Sequence, residues 1–269
     1  MIDNPNIRDL AKKILGSRKY KELGIPIDTV INLLGQELPR HKSSKQALHI
    51  VRKKLHLIVA PYLGDLDYDQ AQRELKDVFR TQDKKKIITT CHDLLSQHTS
   101  TRERLPYLSE FYKELFQRTG KPQTILDLAC GLNPLALPWM NLPAKISYYA
   151  YDIHQPRVAL INRFFKLSNL PQLAEVRDVL LAPPKQHADI AFFFKEAHRL
   201  EHRQHGSNRK LWSVLDVRYL LVSLPCHSLS GRFNLKDKMK KLVHDITNSF
   251  SWKVEEFIIN DEIVFIIEK

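Results

Sequence analysis

Residues 125–135 read Ile125-Leu126-Asp127-Leu128-Ala129-Cys130-Gly131-Leu132-Asn133-Pro134-Leu135. A short apolar run carries one acid, and Gly131 lets the chain turn tightly at its exit. Run and turn together predict a strand that ends against a ligand, because open α/β sheets bind ligands beyond the carboxyl ends of their strands, where the strand order reverses. Asp127 puts a carboxylate near that end, which suits a cationic, amine-bearing group. A single glycine is not GxGxxG, so no pyrophosphate cradle can be drawn and a dinucleotide is disfavoured. Taken alone, the segment also reads as a plain strand and turn.

Working outward, apolar runs occupy 124–129, 146–151, 173–176, 189–194 and 219–224, with helical stretches between them. That alternation predicts a parallel sheet with crossover helices. Two further runs, 254–259 and 262–268, flank Asn260-Asp261, a tight turn that predicts an antiparallel hairpin closing the sheet. Acids recur at the run ends, in Tyr151-Asp152-Ile153 and Arg177-Asp178-Val179. Asp152 follows Asp127 by 25 residues, close to the roughly 20 that separate a glycine turn from a ribose-binding acid in this topology. Asp178 would accept from an adenine amino group while Val179 packs on the ring. Each acid singly reads as a turn residue or helix cap; three at three successive strand ends are harder to dismiss.

Residues 1–118 read as a helical region and 119–269 as the sheet-bearing domain. Leu10, Ile14 and Leu15 recur at helical spacing, and over 43–63 the residues Ala47, Ile50, Val51, Leu55 and Ile58 predict one buried stripe. The remaining faces carry Lys45, Arg52, Lys53 and Lys54. Residues 1–60 hold twelve Lys or Arg against five Asp or Glu, a large part of the chain's formal charge of +12. So one-sided an excess predicts an RNA-docking surface, the alternative being an ordinary solvated helical face.

The 269 residues contain no apolar run long enough to span a bilayer and no secretory signal at the N-terminus, so a cytoplasmic location is expected. Cys91, Cys130 and Cys226 are far apart and odd in number, which argues against a disulfide framework or a zinc pair.

Two segments carry a specific resemblance. His98-Thr99-Ser100-Thr101-Arg102-Glu103-Arg104-Leu105 resembles the H-x-S-T-[KR]-E-R-L element, and residues 127–137 resemble the cofactor loop, of the aminoglycoside-resistance 16S ribosomal RNA (guanine N7) methyltransferases. Similar stretches run from Ile14 to Tyr20, Arg40 to Ser43, Lys54 to His56, Asp152 to Gln155 and Asp178 to Leu180. Val222-Ser223-Leu224-Pro225 and Ser228-Leu229-Ser230-Gly231-Arg232 resemble the family's V-S-F-P-x-x-S-L-G-G-[RK] loop.

The resemblance implies a class I S-adenosylmethionine-dependent fold, which is a Rossmann-like, mostly parallel seven-stranded sheet with a C-terminal antiparallel hairpin, plus an N-terminal helical subdomain. S-adenosyl-L-methionine is the implied cofactor, with no metal. The implied partner is 16S ribosomal RNA in the small ribosomal subunit, with no membrane or DNA. Carried over by position, Tyr62, His98, Thr99, Ser100, Arg104, Asp127, Ala129, Gly131, Asp152, Ile153, Asp178, Val179, Phe194 and Gln204 would meet the cofactor. Arg104 would take its carboxylate, or else pair with Glu103 or Glu110 on a helix surface. Arg18, Lys19, Arg40, Lys42, Lys45, Arg52, Lys53 and Lys54 would meet RNA. Departures occur at Glu196-Ala197-His198, where the family carries an apolar pair and a proline, and at Cys226-His227, where it commonly carries a basic residue.

Guanine N7 has an in-plane lone pair and no proton to lose, so its methylation needs alignment and exclusion of water rather than a general base. An exocyclic amine target commonly goes with an (Asn/Asp/Ser)-Pro-Pro-aromatic motif after the fourth strand, and Phe193-Phe194-Lys195-Glu196 is not one. Lys195, Ser223, His227, Ser228 and Arg232 are the candidates for orienting an extruded base or its phosphates. Lys195 could instead be a lysine snorkelling from a strand end. Two other readings stay open: methylation of another RNA base such as a neighbouring adenine ring nitrogen, and a non-catalytic RNA-binding protein with a vestigial cofactor site.

Overall fold

The computed structural model describes residues 5–60, 66–228 and 233–269. Helices come first: α1 (Pro5–Leu15), α2 (Ile27–Glu37) and α3 (Ser44–Val59). On α3 the buried residues Ala47, Val51, Leu55 and Val59 recur every four positions, so one stripe faces inward. Ile50 and Ile58, expected in that stripe, lie at its flank and are only partly buried, while Val59 joins it. Val51, Leu55 and Val59 meet Ala11 and Ile14 of α1 and Val30, Leu33 and Leu34 of α2 in an apolar cluster drawn from residues 7–59.

Four more helices follow, α4 (Tyr68–Arg80), α5 (Lys84–Ser96), α6 (Thr99–Arg102) and α7 (Leu108–Thr119). Asp67 and Asp83 start α4 and α5 by accepting from the first free backbone N–H groups. The apolar faces of α4, α5 and α7, including Leu75, Leu94, Leu95, Phe111 and Leu115, pack with Ile125, Ile190 and Phe192 of the sheet rather than with the cluster of residues 7–59. The helical stretch therefore divides its packing between two cores, a division that the uniform helical periodicity of residues 1–118 does not reveal.

The strands are β1 (Thr124–Leu128), β2 (Ser147–Asp152), β3 (Ala174–Val176), β4 (Ala188–Phe194), β5 (Val217–Pro225), β6 (Lys253–Ile259) and β7 (Glu262–Glu268). They form one sheet in the order β3-β2-β1-β4-β5-β7-β6. The first five are parallel, and β7 runs antiparallel between β5 and β6. This is the expected architecture, five parallel strands and a closing hairpin whose turn is Asn260-Asp261.

Helices α8 (Leu137–Met140), α9 (Gln155–Leu167), α10 (Ala197–Arg203), α11 (Ser207–Val214) and α12 (Lys236–Thr247) complete the chain. Side chains alternate across the sheet. Ile190 and Phe192 enter the core shared with α4, α5, α7 and α9, and Ala191 and Phe193 enter the core that holds Trp212 and Val243. The strand order reverses between β1 and β4, which makes the carboxyl edge there the place to look for a site.

Candidate active site

The exit of β1 is held open by two left-handed residues, Ala129 at φ +51° and Gly131 at φ +56°. For a non-glycine residue this conformation is unfavourable and persists where surrounding bonds impose it. Here Cys130 N donates to Tyr151 O at 2.9 Å and Asn133 N to Cys130 O at 3.0 Å. Asp127 lies beneath this turn, almost fully buried. Its Oδ2 accepts from Tyr148 Oη at 2.7 Å and Asn133 Nδ2 at 2.9 Å. Burial raises its carboxyl to about 7 against the pull of those two donors.

His98 closes the glycine turn from the outside. A Cβ placed on Gly131 would come within 3.3 Å of His98 Cε1, and Ser100 Oγ lies 2.9 Å from His98 Nδ1. Thr99 begins α6 beside them. Asp152, at the end of β2, accepts from His154 N at 2.9 Å through Oδ1, and from Gly131 N at 3.1 Å and Arg157 Nη1 at 3.4 Å through Oδ2. The structure thus brings His98, Ser100, Gly131 and Asp152 into one contiguous group.

A second group surrounds Arg104. Its guanidinium is buried and bonds Glu262 through Nε at 3.1 Å and through Nη2. It also donates to Asn133 Oδ1 and Ser223 Oγ, each at 3.3 Å, and lies 4.1 Å from the Phe111 ring centre and 4.7 Å from that of Phe194. Neither Glu103 nor Glu110 is its partner. Burial alone would raise the Glu262 carboxyl, but Arg104 and Lys195 bring it below its ordinary range.

Lys195 adopts φ +59°. Its Nζ reaches Glu103 at 2.7 Å, Ser100 O at 3.4 Å and Glu262 at 3.7 Å. Its side chain is largely enclosed rather than snorkelling. Ser223 is fully buried against Arg104, whereas His227 is exposed and paired with Asp261. Ser228 Oγ accepts from Phe233 N at 3.2 Å. Tyr62 and Arg232 lie outside the described residues.

A third group sits at the β3 exit. Asp178 receives Arg203 through both oxygens, at 3.0 and 2.6 Å, with Thr29 Oγ1 at 2.8 Å and Leu180 N at 3.2 Å. Each carboxylate oxygen offers two lone pairs, so four donors fill the acid. Val179 packs in the core with Trp212, Ile153 packs against the cluster of residues 7–59, and Gln204 accepts from Gln36 at 3.1 Å. Nearby, burial raises Glu196 to about 7 despite Arg199, and burial together with Arg199 and Lys238 lowers His198 to about 4.

Of the basic candidates, Arg18, Lys19, Arg40, Lys42, Lys45, Arg52 and Lys53 are exposed. Lys54 instead bonds the buried Glu37 at 2.7 Å, and that bond leads the effects that hold the Glu37 carboxyl below its ordinary range. Sequence reasoning missed Glu262, Arg203 and Thr29. Glu262 reads locally as the first residue of a hairpin strand, and its role depends on a cation 158 positions away.

The model of the family described as Ribosomal RNA methyltransferase (FmrO) matches residues 16–266. The chain belongs to this family. A 16S rRNA (guanine(1405)-N(7))-methyltransferase of Serratia marcescens is 37% identical over 227 residues, covering 84% of each chain. One from Micromonospora rosea is 29% identical over 273 residues, covering 98% of this chain and 97% of that one. Among solved structures, the 16S rRNA methylase RmtB aligns with a TM-score of 0.77 at 30% identity over 98% of both chains. The 16S rRNA methyltransferase RmtF, in complex with S-adenosyl-L-homocysteine, aligns with a TM-score of 0.78 at 26% identity over 99% of both. In this FmrO-family chain no described helix is long and apolar enough to cross a membrane.

The residues present fit the family's cofactor. Among the described residues Asp152 Oδ1 receives one donor, which leaves room for a hydroxyl. Among the described residues four of Arg104's five N–H groups are used, which leaves the fifth for a carboxylate.

Proposed function

We propose that this chain transfers a methyl group from S-adenosyl-L-methionine to N7 of guanine 1405 in the 16S ribosomal RNA of the small subunit. The observation that carries the reading is the family match over residues 16–266, shared with relatives of that one activity along nearly the whole chain. The cofactor supplies an electrophilic methyl on a sulfonium. The chain's own residues bind, orient and exclude water. Asp152 would hold the ribose and Arg104 the carboxylate, with His98 and Ser100 closing the glycine turn. Asp152, Asp178 and Glu262 are each engaged with a cation. That suits a target with no proton to lose, for which positioning supplies the rate.

Lys195 stands at the β4 exit beside Glu103 and would meet the flipped base or its phosphate by exchanging that partner. The basic face of α1–α3 would dock on ribosomal phosphates, in a cytoplasmic protein whose action confers aminoglycoside resistance. Incubation with small subunits and labelled S-adenosylmethionine, followed by borohydride and aniline, tests this. A single cofactor-dependent break at guanine 1405 is expected, since N7-methylguanine makes the strand cleavable there. Label without cleavage moves the methyl to another atom, and cofactor binding without label points to a binding-only protein.

A further inference from the structure

The loops that leave β2 and β3 at the carboxyl edge, and the end of the short helix α10 that follows β4, each touch the helical unit of residues 5–59. After β2, Ile153 joins that unit's apolar cluster and Gln155 N donates to Leu23 O at 3.2 Å. Gly24, at φ +58°, lies so close that a Cβ there would stand 2.4 Å from Gln155 Cβ. After β3, Thr29 on α2 donates to Asp178. After β4, Gln36 on α2 donates to Gln204, next to the Arg203 that grips the same Asp178. Contacts made merely to bury a helix would be apolar and indifferent to which end of the strands they met. Beside the apolar contact of Ile153, three of the contacts are directional hydrogen bonds on the cofactor side of the sheet.

Thr29 is the centre of the set. It is fully buried, and its hydroxyl supplies one of the four donors that fill Asp178. With no acceptor position left, Asp178 is better suited to fixing its loop than to receiving an adenine amino group. Leu181 N and Ala182 N both donate to Asp178 O, at 3.0 and 2.9 Å, so a displaced Asp178 displaces the whole turn that carries Val179. We propose that Thr29 is a positioning residue of the cofactor site: acting through Asp178, it ties the loop after β3 to the RNA-docking helices, so that cofactor binding and subunit docking are coupled. The proposal rests on the function given above. Coupling of this kind is reciprocal, so cofactor must tighten subunit binding by the factor by which the subunit tightens cofactor binding.

The test compares wild type, Thr29→Val, which keeps the shape and removes the donor, and Thr29→Ser, which restores the donor. Calorimetry with S-adenosylhomocysteine gives cofactor affinity, and subunit affinity is measured with and without S-adenosylhomocysteine. Wild type and Thr29→Ser should show at least a fivefold tightening of subunit binding by cofactor. Thr29→Val should bind S-adenosylhomocysteine about tenfold more weakly, the scale of a lost hydrogen bond to a charged group, and lose most of the tightening. Wild-type values in Thr29→Val, or equal losses in both variants, overturn the proposal. Should Thr29→Val fail to fold, Gln36→Ala cuts the neighbouring bond at a half-buried position, and an unchanged tightening there overturns it equally. Wild-type protein that binds no S-adenosylhomocysteine would refute the underlying function instead.

Discussion

Arg104 and Glu262 form a buried ion pair that joins the segment ahead of β1 to the first residue of the last strand. Both side chains are enclosed, and Asn133, Ser223 and Tyr107 satisfy further polar positions around them. Removing one member of such a pair leaves a charge without compensation, at a cost of about 3–5 kcal/mol, whereas an apolar replacement of both is far milder. Glu262→Gln should therefore lower the unfolding free energy by about that amount, and the double replacement Arg104→Met with Glu262→Met should recover most of it. Urea unfolding of the three proteins gives the comparison; equal losses in the single and double variants would show that the pair has no special standing. The double variant should lose methylation, because Arg104 would hold the cofactor carboxylate.

The exposed basic residues of α3 should separate by function. Arg52→Glu with Lys53→Glu is expected to weaken small-subunit binding and flatten its salt dependence by about one unit of slope per lost phosphate contact. S-adenosylhomocysteine affinity should stay unchanged. Lys54→Ala should act on stability instead, since it strips the buried Glu37 of its strongest donor. Unaltered subunit binding in the Arg52/Lys53 double variant would refute docking through α3.

Asp127 sets a pH dependence. Burial raises its native carboxyl to about 7, against an unfolded value of about 4. A raised acid binds its proton more tightly when folded, so its stability contribution is complete below about pH 4 and is lost as pH rises through about 7. Asp127→Asn removes that term. Melting temperature should fall more steeply between pH 4.5 and 8 in wild type than in the variant, and parallel curves would place the ionisation elsewhere.

Gly24→Ala probes how the helical unit seats on the loop after β2. The added methyl meets Gln155 at 2.4 Å in a left-handed backbone, so both strain and overpacking oppose it, at a combined cost of about 2 kcal/mol or more. Loss of S-adenosylhomocysteine affinity is expected along with the stability loss, and calorimetry on the folded fraction reads it. A variant as stable as wild type would mean that the loop and the helices separate easily.

The sheet was legible because its strands are apolar runs bounded by Gly, Asp and Pro. β7 spans 262–268 as expected. β5 extends beyond 219–224 because Val217 and Pro225 find partners in Ala188 and Glu262, a gain that only neighbouring strands confer. Strand ends could be located from Asp127, Asp152 and Asp178, but what each acid touches could not. Thr29 lies 149 positions from Asp178, and nothing in the local pattern of α2 marks a threonine that faces a distant carboxylate. Lys54 illustrates the same limit, since a lysine on an amphipathic helix has one sequence signature whether it meets solvent or a buried glutamate.

The place of β7 inside the sheet has a consequence for biosynthesis. Every other element precedes it in chain order, yet it inserts between β5 and β6 and brings Glu262 with it. During synthesis the Arg104 pocket therefore waits, with a cation and no counter-charge, until the final strand arrives. A chain that stops short of that strand leaves the β5 edge open and Arg104 without its carboxylate partner.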